Sequence, residues 1–234
     1  MSEISAFLES KKPIQGRYKI LTVAHPKIEE KYGIITIVKI TLDNKEEKSL
    51  VVVPGYSNDS FMSGFDVIMK GFDHIKSKYS VMYVFCWGST TKNLTKDYSA
   101  HEKDEEKAFK LNEELRIKLA HVLDKILRSP DMDLKNFTIL AKSAGAGVSI
   151  HVAGMNPEVK YLDIACPGTN SRGTPLAKRK DIKIKMMWNK DDDKINYTTS
   201  MEFIKIFEEQ GNDFEFISYD VGGHEFNEIF VNIL

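Results

Sequence analysis

Three stretches of the sequence carry residue types that together could perform nucleophilic catalysis. The first is Ala141-Lys142-Ser143-Ala144-Gly145-Ala146-Gly147, which follows the apolar run Phe137-Thr138-Ile139-Leu140 and precedes Val148-Ser149-Ile150. A serine on a sharp strand-to-helix turn needs small neighbours, because its backbone is strained and the helix passes close to the strand. Ala141 and Gly145, two residues either side of Ser143, meet that need. Such a turn also places Ser143 at a helix N-terminus, where backbone amides stabilise developing negative charge. The second stretch is the acidic run Asn189-Lys190-Asp191-Asp192-Asp193-Lys194-Ile195, and the third is Val221-Gly222-Gly223-His224-Glu225-Phe226. A serine hydroxyl is inert near neutral pH without a base, and an imidazole base needs a third group to hold its tautomer. Gly222 and Gly223 give the last loop the freedom to carry His224 towards a distant serine.

Each stretch also has a plainer reading. A small-residue turn around Lys142-Ser143 could cradle phosphate, but a P-loop needs glycine six residues before the Lys-Ser pair, where Asn136 stands, and no G-x-G-x-x-G dinucleotide motif is present here. The three aspartates could form a solvated turn or a cation site. No second carboxylate cluster or histidine pair at ligand spacing completes a metal site, so no metal or cofactor is expected. Lys142 invites comparison with a Ser-Lys pair, yet neighbours on a tight turn point apart, which predicts an ion-pairing or structural role. His25, His74, His101, His121 and His151 fall in loops or helical segments and read as surface or packing residues.

The elements that must position these groups are legible in outline. Arg17 to Ala24 and Gly33 to Leu42 are alternating β-branched runs, and Asp43-Asn44-Lys45 supplies turn chemistry before a third run at Ser49 to Val53, together an antiparallel entry. Strands are then predicted at Leu50–Val53, Val81–Phe85, Phe137–Ala141, Tyr161–Ala165, Lys183–Trp188 and Glu215–Tyr219, as short apolar runs covered on both faces. Helices are predicted over Phe61–Lys78, Glu105–Arg128, Gly147–Gly154, Thr198–Gln210 and from Glu225 onward. This alternation specifies an α/β fold with a mostly parallel central sheet, antiparallel N-terminal strands and right-handed crossovers. Ligands in such sheets bind beyond the carboxyl ends of the strands. No repeat, low-complexity tract or long linker interrupts the pattern, so residues 1–234 are expected to form a single domain.

Around Ser143 the sequence reads A-x-S-x-G, which resembles the G-x-S-x-G nucleophile elbow of the α/β-hydrolase family. The order serine, acid, histidine along the chain is also the family's. The resemblance runs from about Arg17 onward and implies a serine esterase-like hydrolase without a large cap. In the acid turn, aligning Asn189 with the family's glycine and Ile195 with its aliphatic position selects Asp192, with Asp191 and Asp193 as neighbouring alternatives. His224 falls in a G-G-H-x-F context similar to the family's histidine loop. Val53-Pro54-Gly55-Tyr56 resembles the family's strand followed by H-G-x, with proline for histidine, so the amides of Tyr56 and Ala144 are the implied oxyanion donors. Trp87, after the Val81–Phe85 run, is a candidate substrate contact, and residues 88–104 a candidate flap.

Composition narrows the classes further. The chain is 42% hydrophobic and 29% charged with net charge −1, which provides no long-range field for nucleic acid or anionic lipid. The N-terminus lacks the pattern of a secretory signal and no run is long enough to span a membrane, so a soluble, cytoplasmic protein is expected. Cys86 and Cys166 are too few for a disulfide framework and are expected as reduced, buried thiols. The implied partner is a small-molecule acyl substrate. A catalytically silent binding protein of the same fold, a serine peptidase and an acyltransferase are the alternatives; oligomeric state is unspecified.

Overall fold

The computed structural model describes residues 3–23, 35–55, 58–86, 103–134, 136–169, 176 and 178–231. Strands β1 (Tyr18–Val23), β2 (Ile35–Thr41), β3 (Ser49–Val53), β4 (Val81–Cys86), β5 (Thr138–Lys142), β6 (Tyr161–Ala165), β7 (Lys183–Asn189) and β8 (Asp213–Tyr219) form an eight-stranded sheet in the order β1-β2-β4-β3-β5-β6-β7-β8. The β1–β2 and β2–β4 pairs are antiparallel, and every pair from β4 through β8 is parallel. Every residue of β3 and β5 is buried, as expected of central parallel strands covered on both faces. At the β8 edge no residue is fully buried, and exposed residues are interspersed with half-buried ones.

The helices are α1 (Glu3–Glu9), α2 (Asn58–Lys70), α3 (Phe72–Lys78), α4 (Glu105–Leu127), α5 (Ser143–Met155), α6 (Thr199–Glu209) and α7 (Glu228–Val231). Asp104 caps α4, its carboxylate accepting from the amides of Glu106 at 3.0 Å and Lys107 at 3.2 Å. The stripe Leu115, Leu119, Val122 and Ile126 is buried, and α4 packs on α5. The α5 segment from Gly145 to Ala153 is buried throughout, which places this helix in the core. No helix among the described residues is long and apolar enough to cross a membrane.

Four features differ from the sequence-based expectation. The third run does not continue the antiparallel entry: β3 lies between β4 and β5, parallel to both, because a strand buried on every residue must be central. The helix expected over Phe61–Lys78 is broken at Gly71, whose carbonyl instead accepts from His74 and Ile75 and starts α3, directing Phe72 and Ile75 into the core. The last helix begins at Glu228 rather than Glu225, since Glu225 is held by contacts to β5 and β7. Helix α1 was not anticipated.

Candidate active site

Strand β5 ends at Lys142 in extended geometry, and the next residue, Ser143, has φ +55 and opens α5. The left-handed region costs an L-residue about 1–2 kcal/mol, so the surroundings must enforce it. Two contacts do. A Cβ on Gly145 would fall 2.2 Å from the Pro54 carbonyl oxygen and 2.4 Å from that of Val53, so α5 approaches the end of β3 as closely as only glycine allows. The Gly168 N–H donates to the Ser143 carbonyl at 2.8 Å, tying the turn to the segment after β6.

The acid and imidazole meet beside this turn. His224 Nδ1 lies 2.9 and 3.0 Å from the two carboxylate oxygens of Asp192, whose side chain is fully buried. Asp192 Oδ1 also accepts the amides of Lys194 and Ile195, both at 2.9 Å, which fixes the carboxylate on its own turn. An ionised carboxylate only accepts, so the facing Nδ1 carries the hydrogen and Nε2 is left as the ring's basic nitrogen. Among the described residues no hydrogen bond joins the Ser143 hydroxyl to His224; in unliganded sites such bonds are commonly long and tighten on binding. The three consecutive aspartates are thus set apart by their partners. Asp191 accepts from the amides of Gly222 at 3.2 Å and Gly223 at 2.8 Å, while Asp193 pairs at the surface with Lys194, a contact that holds its carboxyl below the usual range.

A set of braces holds the histidine loop; among them Lys142 has the ion-pairing role expected of it, while the roles of Asn189 and Asp191 have no counterpart in the sequence-based expectation. Asn189, wholly buried at the end of β7, donates through Nδ2 to the carbonyls of Gly223 and Glu225, each at 2.9 Å. Gly222, at φ +147, sits so close to this amide that a Cβ would lie 2.7 Å from it. Lys142, also buried, donates through Nζ to the His224 carbonyl at 3.2 Å and to the Glu225 carboxylate. A buried ammonium is costly unless paired, so this lysine anchors the loop and is not placed as a base for Ser143. The available signals were a lysine directly before the candidate nucleophile and asparagine where the family has glycine.

Ala144 is the second residue of α5, and amides of a helix's first turn lack acceptors within the helix, which suits Ala144 N–H for an oxyanion. Tyr56, Trp87 and most of the candidate flap lie outside the described residues. Cys166, at φ +44 beyond β6, is buried with its Sγ, an Asp192 oxygen and a His224 nitrogen all within 4.8 Å of one another. These are metal-ligand types, but the setting suits a metal poorly. Burial first, then the Asp192 charge, push the Cys166 thiol well up, away from the thiolate a metal takes. Both Asp192 oxygens are moreover engaged by His224. Cys86 is buried and free, its thiol also pushed up by burial. Behind the turn, Glu113 on α4 binds His151 Nε2 at 2.7 Å and the Thr169 hydroxyl at 3.0 Å, so His151 is a packing residue.

A strained serine between strand and helix, with acid and imidazole carried by later strand ends, on this sheet order, defines an α/β-hydrolase-fold protein. Solved structures agree on the fold. A thermostable esterase superposes with TM-score 0.60 at 16% identity over 90% of this chain, which spans only 56% of that esterase's length. The esterase domain of a Rhodothermus marinus protein gives 0.61 at 8% identity, covering 93% of this chain and 94% of that one. A Xanthomonas campestris protein described as an α/β serine hydrolase without a lid gives 0.55 at 14% identity, covering 89% and 86%. No protein-family model and no curated protein matches the chain.

Proposed function

We propose that this chain is a serine hydrolase that cleaves a carboxylic ester or thioester of a small acyl substrate through an acyl-enzyme. The Asp192–His224 pair beside a serine at φ +55 carries this reading. In it, Ser143 Oγ attacks the acyl carbonyl as His224 Nε2 takes its proton, and the bond to the alcohol or thiol breaks as that proton passes to the leaving group. Water then attacks the acyl-serine with His224 again as base, releasing the acid and restoring the serine. Asp192 holds the ring and stabilises the imidazolium. The amides of Ala144 and Tyr56 are the proposed donors to the oxyanion. The esterases and hydrolases of the same fold are consistent with this chemistry.

Labelling with a fluorophosphonate probe tests the reading. Wild type should form a covalent adduct on Ser143, and Ser143→Ala and His224→Ala should not. A folded wild type that fails to label would favour a non-catalytic binding protein.

A further inference from the structure

Two residues that carry a Cβ occupy the left-handed region at neighbouring strand ends: Ser143 after β5, at φ +55, and Cys166 after β6, at φ +44. The proposed reaction accounts for the first and makes no use of the second. Such strain persists only where the surroundings enforce it. The Cys166 N–H donates to the Met187 carbonyl of β7 at 3.1 Å, and two residues on, the Gly168 N–H donates to the Ser143 carbonyl at 2.8 Å. The chain therefore turns at Cys166 between β7 and the serine turn. That turn sends the thiol inward: Cys166 is wholly buried, and its Sγ, an Asp192 oxygen and a His224 nitrogen lie within 4.8 Å of one another.

The Asp192 carboxylate has room for a further donor. An ionised carboxylate offers about four acceptor positions, shared between its two oxygens. Oδ1 accepts the amides of Lys194 and Ile195, both at 2.9 Å, and faces His224 Nδ1 at 3.0 Å. Oδ2 faces His224 Nδ1 at 2.9 Å and, among the described residues, no other nitrogen or oxygen donor. The side chain is wholly buried, so bulk water is excluded from it. The thiol is the donor at hand. Burial first, then the Asp192 charge and a hydrogen bond to Asp192, raise its pKa well above the ordinary range, against the opposing effects of the Asn189 amide and Lys142. A thiol that keeps its hydrogen beside a carboxylate donates, and the charge on the acceptor strengthens the bond.

We propose that Cys166 is a positioning residue for the acid opposite His224: its thiol donates to the Asp192 carboxylate and, with the Lys194 and Ile195 amides, holds it square to the imidazole. The catalytic consequence rests on the serine hydrolase reading above; the bond itself does not. Infrared spectroscopy of the full chain in the S–H stretching window reads that bond directly. Two bands are expected, and Cys166→Ala assigns them by removing one. The Cys166 band should lie at lower frequency than that of Cys86, whose thiol faces the neutral Val84 carbonyl at 3.8 Å, and should shift towards it in Asp192→Asn. The order of the two bands needs no variant of Asp192. On 4-nitrophenyl acetate, Cys166→Ala should lower kcat about tenfold with KM little changed, and Cys166→Ser, which keeps a donor, should restore it. A Cys166 band at or above the Cys86 frequency, a band unmoved in folded Asp192→Asn, or equal kcat in the alanine and serine variants would each overturn the proposal. A wild type with the lowered band but no fluorophosphonate labelling would sink the hydrolase reading and keep the thiol–carboxylate bond. Labelling without the lowered band would do the reverse. Circular dichroism checks that the variants are folded.

Discussion

Replacing Asp192 by asparagine keeps the side chain's shape but removes the charge facing His224 Nδ1 and presents an amide that can stabilise the wrong tautomer. On an activated ester such as 4-nitrophenyl acetate, Asp192→Asn should lower kcat/KM by about 10³–10⁴-fold. Asp191→Asn touches only the two glycine amides of the loop and should cost about tenfold. Asp193→Asn loses a solvent-exposed pair with Lys194 and should be silent. Comparing the three rates tests the assignment; an undiminished rate in Asp192→Asn would move the acid elsewhere. Lys142→Met separates positioning from stability. It removes the donor to the His224 carbonyl, while the Glu225 side chain, 38% exposed, is open to water. The expected result is a kcat about tenfold lower with little change in Tm, read from kinetics and a thermal melt.

The element most exposed to single changes is the β5–α5 junction. Ser143→Gly and Ser143→Ala both delete the hydroxyl, but only glycine relieves φ +55. Against the extra entropy of an unfolded glycine, the glycine variant should still be more stable by roughly 1 kcal/mol in urea titration. Equal stabilities would mean the turn is not strained in solution. This junction was readable beforehand because its signals are local: an apolar run, small residues two either side of a serine, and a helix. The parallel strands were readable for the same reason. The central position of β3 was not, since an apolar run such as Leu50–Val53 looks alike wherever both faces are covered. Nor was the break at Gly71, where burial of Phe72 and Ile75 decides the helix direction. The Asn189, Asp191 and Lys142 braces join residues 31 to 83 apart in the chain, and no local pattern encodes such contacts.

At the scale of the whole molecule, Asp163, which has no hydrogen bond or ion pair among the described residues, makes global stability depend on pH with a sign opposite to that of a salt-bridged carboxylate. Burial, opposed by Lys185 but reinforced by Glu215, raises its pKa from 3.8 to about 6. The folded chain therefore holds a proton at this site that the unfolded chain has lost between those values, and stability falls as pH rises through the window. Below about pH 3 both states are protonated and there is no penalty. Above about pH 7 the full penalty applies, about 3 kcal/mol for a shift of this size. Asp163→Asn removes the ionisation without changing the volume. Urea unfolding should then show the variant more stable than wild type by up to that amount at pH 7.5 and indistinguishable at pH 3. A variant less stable than wild type at pH 7.5 would show that the carboxylate is paired in solution.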